Sequence, residues 1–160
     1  MLMKKKYKIG LVIGRFQPLH NGHVWLVHKA LEHCERIKIG IGSSNVSDES
    51  NPYNFEKRKK MAEDFLEEAG LQDKVLSIFP VADFHNDQKW LSEVQKQAGE
   101  FDVVIGNNEW TNGILEKAGY EVIRPGHFNR KELEGIKIRK LIKEEKPWQQ
   151  FVPKSVGKDL

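Results

Sequence analysis

Short apolar runs alternating with amphipathic stretches constrain the fold of this chain more than any single motif. Residues 8–13, Lys-Ile-Gly-Leu-Val-Ile, are nearly continuous in apolar side chains, as a strand buried on both faces should be. Residues 21–34 follow with Val24, Val27, His28 and Leu31 at helical spacing. Residues 36–41 alternate Ile37, Ile39 and Ile41, which predicts a second strand. A polar loop over 42–51 leads to Pro52 and a charged helix over 54–69, with a stripe of Phe55, Met61, Phe65 and Leu66 and a stop at Gly70. Strands are predicted over 75–81, 102–105 and 120–123. Between them lie a helix starting at Asn86 or Asp87 and closed by Gly99, and a second over 109–118 ended by Gly119. A short basic helix spans 136–143, and a segment over 147–160 with Trp148, Phe151 and Val152 should dock on the body. Five strands alternating with helices predict an α/β fold, a five-stranded parallel sheet with helices on both faces. In such sheets ligands bind beyond the carboxyl ends of the strands, near a switch in strand order.

Composition narrows the field. The 160 residues make one domain, residues 1–160, with a basic N-terminal tail over 1–7. Lys plus Arg is 26 against 23 Asp plus Glu, a net charge of +3. That mild excess suits small anionic ligands and lacks the clustered basic stripe of a nucleic-acid binder. Cys34 is the only cysteine, so no internal disulfide and no CxxC pair is possible. In an apolar helix pattern it reads as a small core residue of a protein in a reducing, cytoplasmic compartment. Lys4, Lys5, Lys6 and Lys8 resemble a signal n-region, but the apolar run stops at Gly14-Arg15, too early for a signal core. No run approaches the ~18 apolar residues of a membrane span, so no membrane partner is expected.

The stretch after the first strand carries the chemistry: Gly14-Arg15-Phe16-Gln17-Pro18-Leu19-His20-Asn21-Gly22-His23. Two histidines three apart flank a glycine where a strand gives way to a helix. A helix starting near Asn21 puts His23 in its first turn and His20 just before it. Free N–H groups and partial positive charge there suit phosphate. Gly22 leaves room for a close approach, and the imidazoles can donate to phosphate oxygens whose charge grows during transfer. Zinc is the rival reading, but no third ligand stands at a recognisable spacing and HExxH is absent. Capping or core histidines are the structural alternative. No GxxxxGK[ST] and no GxSxG occurs, and Gly40-Ile41-Gly42 lacks the third glycine of a dinucleotide fingerprint.

The same stretch resembles the HxGH signature of the nucleotidyltransferase superfamily, and its Gly-Arg-Phe-Gln-Pro lead-in is similar to the archaeal type of nicotinamide mononucleotide (NMN) adenylyltransferase. Further segments resemble that group in order. They are Gly40-Ile41-Gly42-Ser43, Asn51-Pro52-Tyr53 with Arg58, Asp83 and Trp90, Gly106 to Asn108, Phe128-Asn129-Arg130, Ile138-Arg139, and Lys146 to Val156. The resemblance implies a Rossmann-like nucleotidyltransferase domain making NAD⁺ and pyrophosphate from ATP and NMN. It implies His20, His23, Arg15 and Arg139 as catalytic residues, with Mg²⁺ carried on ATP and no dedicated metal ligands. It implies ATP contacts from Gly14, Arg15, Phe16, His20, Gly22, His23, Gly106, Asn108, Lys137 and Arg139. NMN would meet Ser43, Arg58, Asp83, Asn86 and Trp90, with Arg58 on the monophosphate and Trp90 stacked on the nicotinamide. On periodicity alone Trp90 is a core residue beside Leu91 and Val94, and Lys57, Lys59 and Lys60 are a solvated face. A homo-oligomer is implied by resemblance only.

One departure stands out. The superfamily usually has Ser or Thr ahead of the Ile-Arg pair, whereas this chain reads Glu134-Gly135-Ile136-Lys137-Ile138-Arg139. Backbone N–H groups and Lys137 are the expected substitutes. Asn54 likewise stands where Thr is frequent. Alternatives within the fold are a sister transferase acting on FMN or phosphopantetheine, and a nucleotide sensor without catalysis. A nucleic-acid module is disfavoured by charge.

Overall fold

The computed structural model describes residues 5–160. Its strands are β1 (Tyr7–Gly14), β2 (Cys34–Ile41), β3 (Val75–Pro80), β4 (Val103–Ile105) and β5 (Glu121–Ile123). Its helices are α1 (Asn21–His33), α2 (Phe55–Ala69), α3 (Asp87–Ala98), α4 (Glu109–Lys117), α5 (Gly135–Lys143) and the single turn α6 (Lys154–Gly157). The sheet order is β3-β2-β1-β4-β5 and every pair is parallel, as the alternating pattern predicts. From β1 the chain winds outward to β2 and β3, then returns to the far side of β1 for β4 and β5. The connections after β1 and β4 therefore leave in opposite directions, and a crevice opens where they part. Of the expected basic tail, Lys4 lies outside the described residues and Tyr7 already belongs to β1.

Successive side chains of a strand face opposite sides, and β1 and β4 divide their residues between two cores. Val12, Val103 and Ile105 pack with α1, α2, α5 and the C-terminal segment. Leu11 and Val104 pack with α3 and α4. β2 gives Ile37, Ile39 and Ile41 to the first core. On its other face Lys38 donates to the carbonyls of Ala98 and Glu100, each at 2.7 Å. One ammonium thus meets the last carbonyl of α3 and another just beyond its end, where positive charge is favourable.

Two local expectations need correction. Cys34 is buried as a core residue should be, but it opens β2 and does not lie in α1. The buried stripe of α1 is Val27, Ala30 and Leu31, with His28 exposed. The C-terminal segment docks as expected: Val152 and Val156 are buried in the first core, with Trp148, Phe151 and Leu160 packed against it. The Ser155 N–H donates to Glu68 at 2.9 Å, and Lys60 joins Asp64 (2.6 Å) to Asp159 (3.0 Å). The first turns of α2, α3 and α4 are capped by Asn54, Asn86 and Asn108, whose side-chain oxygens accept backbone N–H groups.

Candidate active site

The two histidines of the β1–α1 junction are locked by a reciprocal cap. His20 is the N-cap of α1, and its Nδ1 accepts the Gly22 N–H at 3.1 Å. The Nδ1 of His23 accepts the His20 N–H at 3.0 Å. A neutral imidazole carries one proton, and with both Nδ1 atoms accepting it must sit on Nε2. Each ring is thus fixed in one tautomer, with an Nε2–H free to donate. The rings stack with centroids 3.8 Å apart and planes 28° from parallel, and Phe16 meets His23 edge-on at 4.6 Å. Burial drives His20 down to about 4. Burial, with the adjoining His20 ring, holds His23 well below its ordinary value. Both rings are therefore neutral donors near pH 7.

This geometry revises the role of Gly22. A Cβ there would lie 2.8 Å from Cε1 of His20, so the glycine makes room for the imidazole that caps the helix. The Gly22 N–H expected to meet phosphate is already engaged by His20. The groups left free to donate at this helix start are the histidine Nε2–H groups.

Arg15 and Arg139 converge on the same crevice. Arg15 donates from Nη1 to Asn51 at 3.1 Å, and Asn51 is itself held by Asp48. Arg139 donates from Nη1 to the Gln17 carbonyl at 2.7 Å. Burial, then the nearby Arg15 charge, lower the Arg139 pKa; a guanidinium keeps its charge regardless. Gly135 lets α5 approach, since a Cβ there would lie 2.9 Å from that same Gln17 oxygen. Together these parts line a cavity of about 390 Å³, walled by Gly14, Arg15, Phe16, His20, His23 and Arg139 among others. Asn108 lines it from the β4 end. Gly106 does not: its N–H donates to Ile123 and its carbonyl accepts from Asn112, both at 3.0 Å. Lys137 also lies outside the lining and turns toward Glu134 and the Lys131 carbonyl. Glu134 lines the cavity and is drawn aside by Arg130 at 3.6 Å and Lys137 at 3.8 Å.

The residues expected to hold NMN lie outside this cavity, beyond β2 and β3. Ser43 donates to Asp83 at 2.8 Å, so two of the five meet side chain to side chain. Asn45 pins the Asp83 backbone on both sides, at 2.7 and 3.1 Å. Asn86 is exposed, with its oxygen engaged in capping α3. Arg58 and Trp90 are both buried, unlike the open positions expected of them. Arg58 has no exposed surface, and its guanidinium donates to the carbonyls of Asn54, Arg15, Gly42 and Ser43. It fastens the ends of β1 and β2 to α2 and offers a monophosphate no open face. Trp90 is 2% exposed and sits in the second core, as its periodicity alone predicts. The indole that reaches solvent is Trp110, 51% exposed and edge-on to Trp90 at 5.2 Å.

Gln17 and Asn51 stand in motifs quoted from the sequence but were given no role there, and both are buried. Gln17 pairs with the Tyr53 backbone through both side-chain atoms, at 3.0 Å each. The available signal was polarity in an otherwise apolar stretch, Phe16-Gln17-Pro18-Leu19.

Paired imidazole donors and two guanidiniums at the switch point of a parallel sheet suit a polyphosphate chain. The comparisons make the assignment specific. Residues 11–151 match the model of the cytidylyltransferase-like family. A nicotinamide-nucleotide adenylyltransferase of Thermococcus onnurineus is 37% identical over 151 residues, covering 94% of this chain and 80% of the relative. Nicotinamide-nucleotide adenylyltransferase 1 of Sulfolobus acidocaldarius is 37% identical over 90% of this chain and 83% of its own length. A bifunctional NMN adenylyltransferase/ADP-ribose pyrophosphatase from Francisella tularensis, solved with AMP and a manganese ion, superposes with a TM-score of 0.77 at 28% identity over 91% of this chain. This chain spans 44% of that longer one. The chain belongs to the cytidylyltransferase-like family, among relatives of the archaeal nicotinamide-nucleotide adenylyltransferase type.

Proposed function

We propose that this chain transfers the adenylyl group of ATP to nicotinamide mononucleotide, giving NAD⁺ and pyrophosphate. The observation that carries the reading is the reciprocal histidine cap beside Arg15 and Arg139. In this mechanism a phosphate oxygen of NMN attacks the α-phosphorus of ATP in line. The new O–P bond forms as the bond from the α-phosphorus to the bridging oxygen breaks, and the electron pair leaves on pyrophosphate. No side chain is needed as nucleophile, so placement and charge stabilisation supply the rate. The Nε2–H groups of His20 and His23 donate to the α-phosphate oxygens as their charge grows. Arg15 and Arg139 hold the β- and γ-phosphates, a task suited to planar forks. Ser43 and Asp83, at the ends of β2 and β3, face the acceptor.

Among the described residues no group of three or more His, Cys, Asp or Glu could hold a metal ion. We take the divalent ion, Mg²⁺ in the first instance, as part of the ATP substrate. No described helix is long and apolar enough to cross a membrane. The proposal is of one cytoplasmic domain that forms homo-oligomers and takes small molecules only, which sedimentation at several concentrations will check.

The test is pyrophosphate release with ATP and Mg²⁺, offering NMN, nicotinic acid mononucleotide, FMN or phosphopantetheine, with each product identified by mass. NAD⁺ from NMN is the expected result. Release with FMN or phosphopantetheine alone keeps the mechanism and moves the substrate. ATP binding without release for any acceptor identifies a sensor.

A further inference from the structure

We propose that Glu134 is this chain's single protein ligand for the divalent cation carried on the triphosphate, and that it makes ATP binding depend on that cation. The inference rests on the adenylyl-transfer reading above. It concerns one of the two positions ahead of Ile138-Arg139 where a Ser or Thr is expected and this chain departs.

Glu134 is the one acid in the cavity wall. Every other ionisable side chain there is basic: Arg15, His20, His23, His127, Arg130 and Arg139. A carboxylate in that company repels a polyphosphate chain, by the same Coulomb law that lets the guanidiniums attract it. A divalent cation between the two anions reverses the sign. Magnesium is commonly held this way, by one or two carboxylates plus substrate phosphates, with water completing its shell. Among the described residues no three His, Cys, Asp or Glu cluster for a metal. One carboxylate suits an ion that arrives with the nucleotide and is too little for an ion bound beforehand. The other departing position carries Ile136, which has no ligand atom in its side chain.

The carboxylate is placed and unspent. Glu134 is the N-cap residue of α5, yet its side chain makes no capping bond. Its cationic neighbours, Arg130 at 3.6 Å and Lys137 at 3.8 Å, stand too far off for hydrogen bonds. Both cations are well exposed to solvent, and ion pairs of that kind are weak. A cation therefore displaces little when it takes the carboxylate. The position along α5 also fits. A Cβ on Gly135, the next residue, would lie 3.0 Å from Nη1 of Arg139. Glu134 thus adjoins the guanidinium assigned to the β- and γ-phosphates, whose oxygens a divalent cation bridges.

The experiment is titration calorimetry of ATP, once with excess Mg²⁺ and once with EDTA in its place. The proteins are the unaltered chain, Glu134→Gln, which keeps the shape and removes the charge, and the conservative Glu134→Asp. In Glu134→Gln the two affinities should move in opposite directions. ATP with Mg²⁺ binds more weakly and metal-free ATP binds more tightly, so the advantage given by Mg²⁺ shrinks by about tenfold. Glu134→Asp should recover part of that advantage. Glu134→Ser, which supplies a capping hydroxyl, should show the same shrinkage and keeps the test open should Glu134→Gln fail to fold. A merely repulsive carboxylate predicts tighter ATP in both conditions, and a merely structural one predicts an equal change in both. Either result overturns the proposal. The two readings fail separately. A shrunken Mg²⁺ advantage without dinucleotide formation removes adenylyl transfer alone. NAD⁺ formation with an unchanged advantage in Glu134→Gln removes the cation ligand alone.

Discussion

At the scale of single residues, the histidine pair serves the helix and the proposed chemistry together. His23→Ala removes one Nε2–H donor and the acceptor for the His20 N–H. Turnover should fall by about 10²–10³, while helix capping loses about 1 kcal/mol. Steady-state rates and denaturant unfolding on the same variant separate the two effects. The neutral rings also make stability depend on pH. Their pKa values are depressed in the folded chain, so between about 4 and 6.5 the unfolded chain binds more protons. Stability should be full above pH 6.5 and decline as pH falls toward 4. The fall of the His20 value from 6.5 to about 4 corresponds to about 3 kcal/mol. Urea midpoints measured from pH 7 to pH 4, with His20→Gln as control, will check the slope; a flat profile removes the buried-imidazole account. Trp90 belongs at this scale too. Trp90→Ala should cost about 3–5 kcal/mol as a core truncation, and thermal unfolding should show it without any substrate present. The motif around His20 was legible because residue types and spacing are local in sequence. Burial of Trp90 was legible from helical periodicity with Leu91 and Val94, whereas the resemblance pointed the other way.

At the scale of elements, strands and helices were legible almost throughout, because their apolar periods differ and few segments satisfy both. The errors fall where no punctuation separates elements. Cys34 both closes α1 and opens β2, with no glycine or proline between to mark the change. His28 fits the helical count, yet the buried stripe runs through the small Ala30, which carries little hydrophobic signal. Arg58 was legible as distinctive but not in its role, since four carbonyls from three separate segments converge on it only after folding. Arg58→Lys should release most of those contacts, because an ammonium cannot match a planar fork. Buried carbonyls left unpaired cost about 1–3 kcal/mol each. A lower melting temperature and weaker ATP binding through displaced Arg15 are expected. Unchanged melting would show that the fastening is dispensable.

At the scale of the molecule, the doubly wound topology follows from the order of elements, and the switch point follows from the topology. The sequence could place the cleft at the strand ends, but not which loops wall it, because that requires knowing that β4 returns beside β1. Cys34 reports on the whole assembly. It is fully buried where β2 begins against β1, and burial raises its thiol to about 11. Thiol reagents should label it only at the rate of global unfolding, and labelling at the free-thiol rate under native conditions would contradict the packing. The bond from Arg139 to the Gln17 carbonyl joins positions 122 residues apart, and this has a temporal consequence during synthesis. The histidine cap is local to α1 and can form as soon as that helix emerges. β1, β2 and β3 can pair next, each with a neighbour already made. The guanidinium of Arg139 arrives only after all five strands have left the ribosome. A nascent chain therefore carries its imidazoles long before its phosphate grip is complete, and truncated products of interrupted translation should be inert toward ATP.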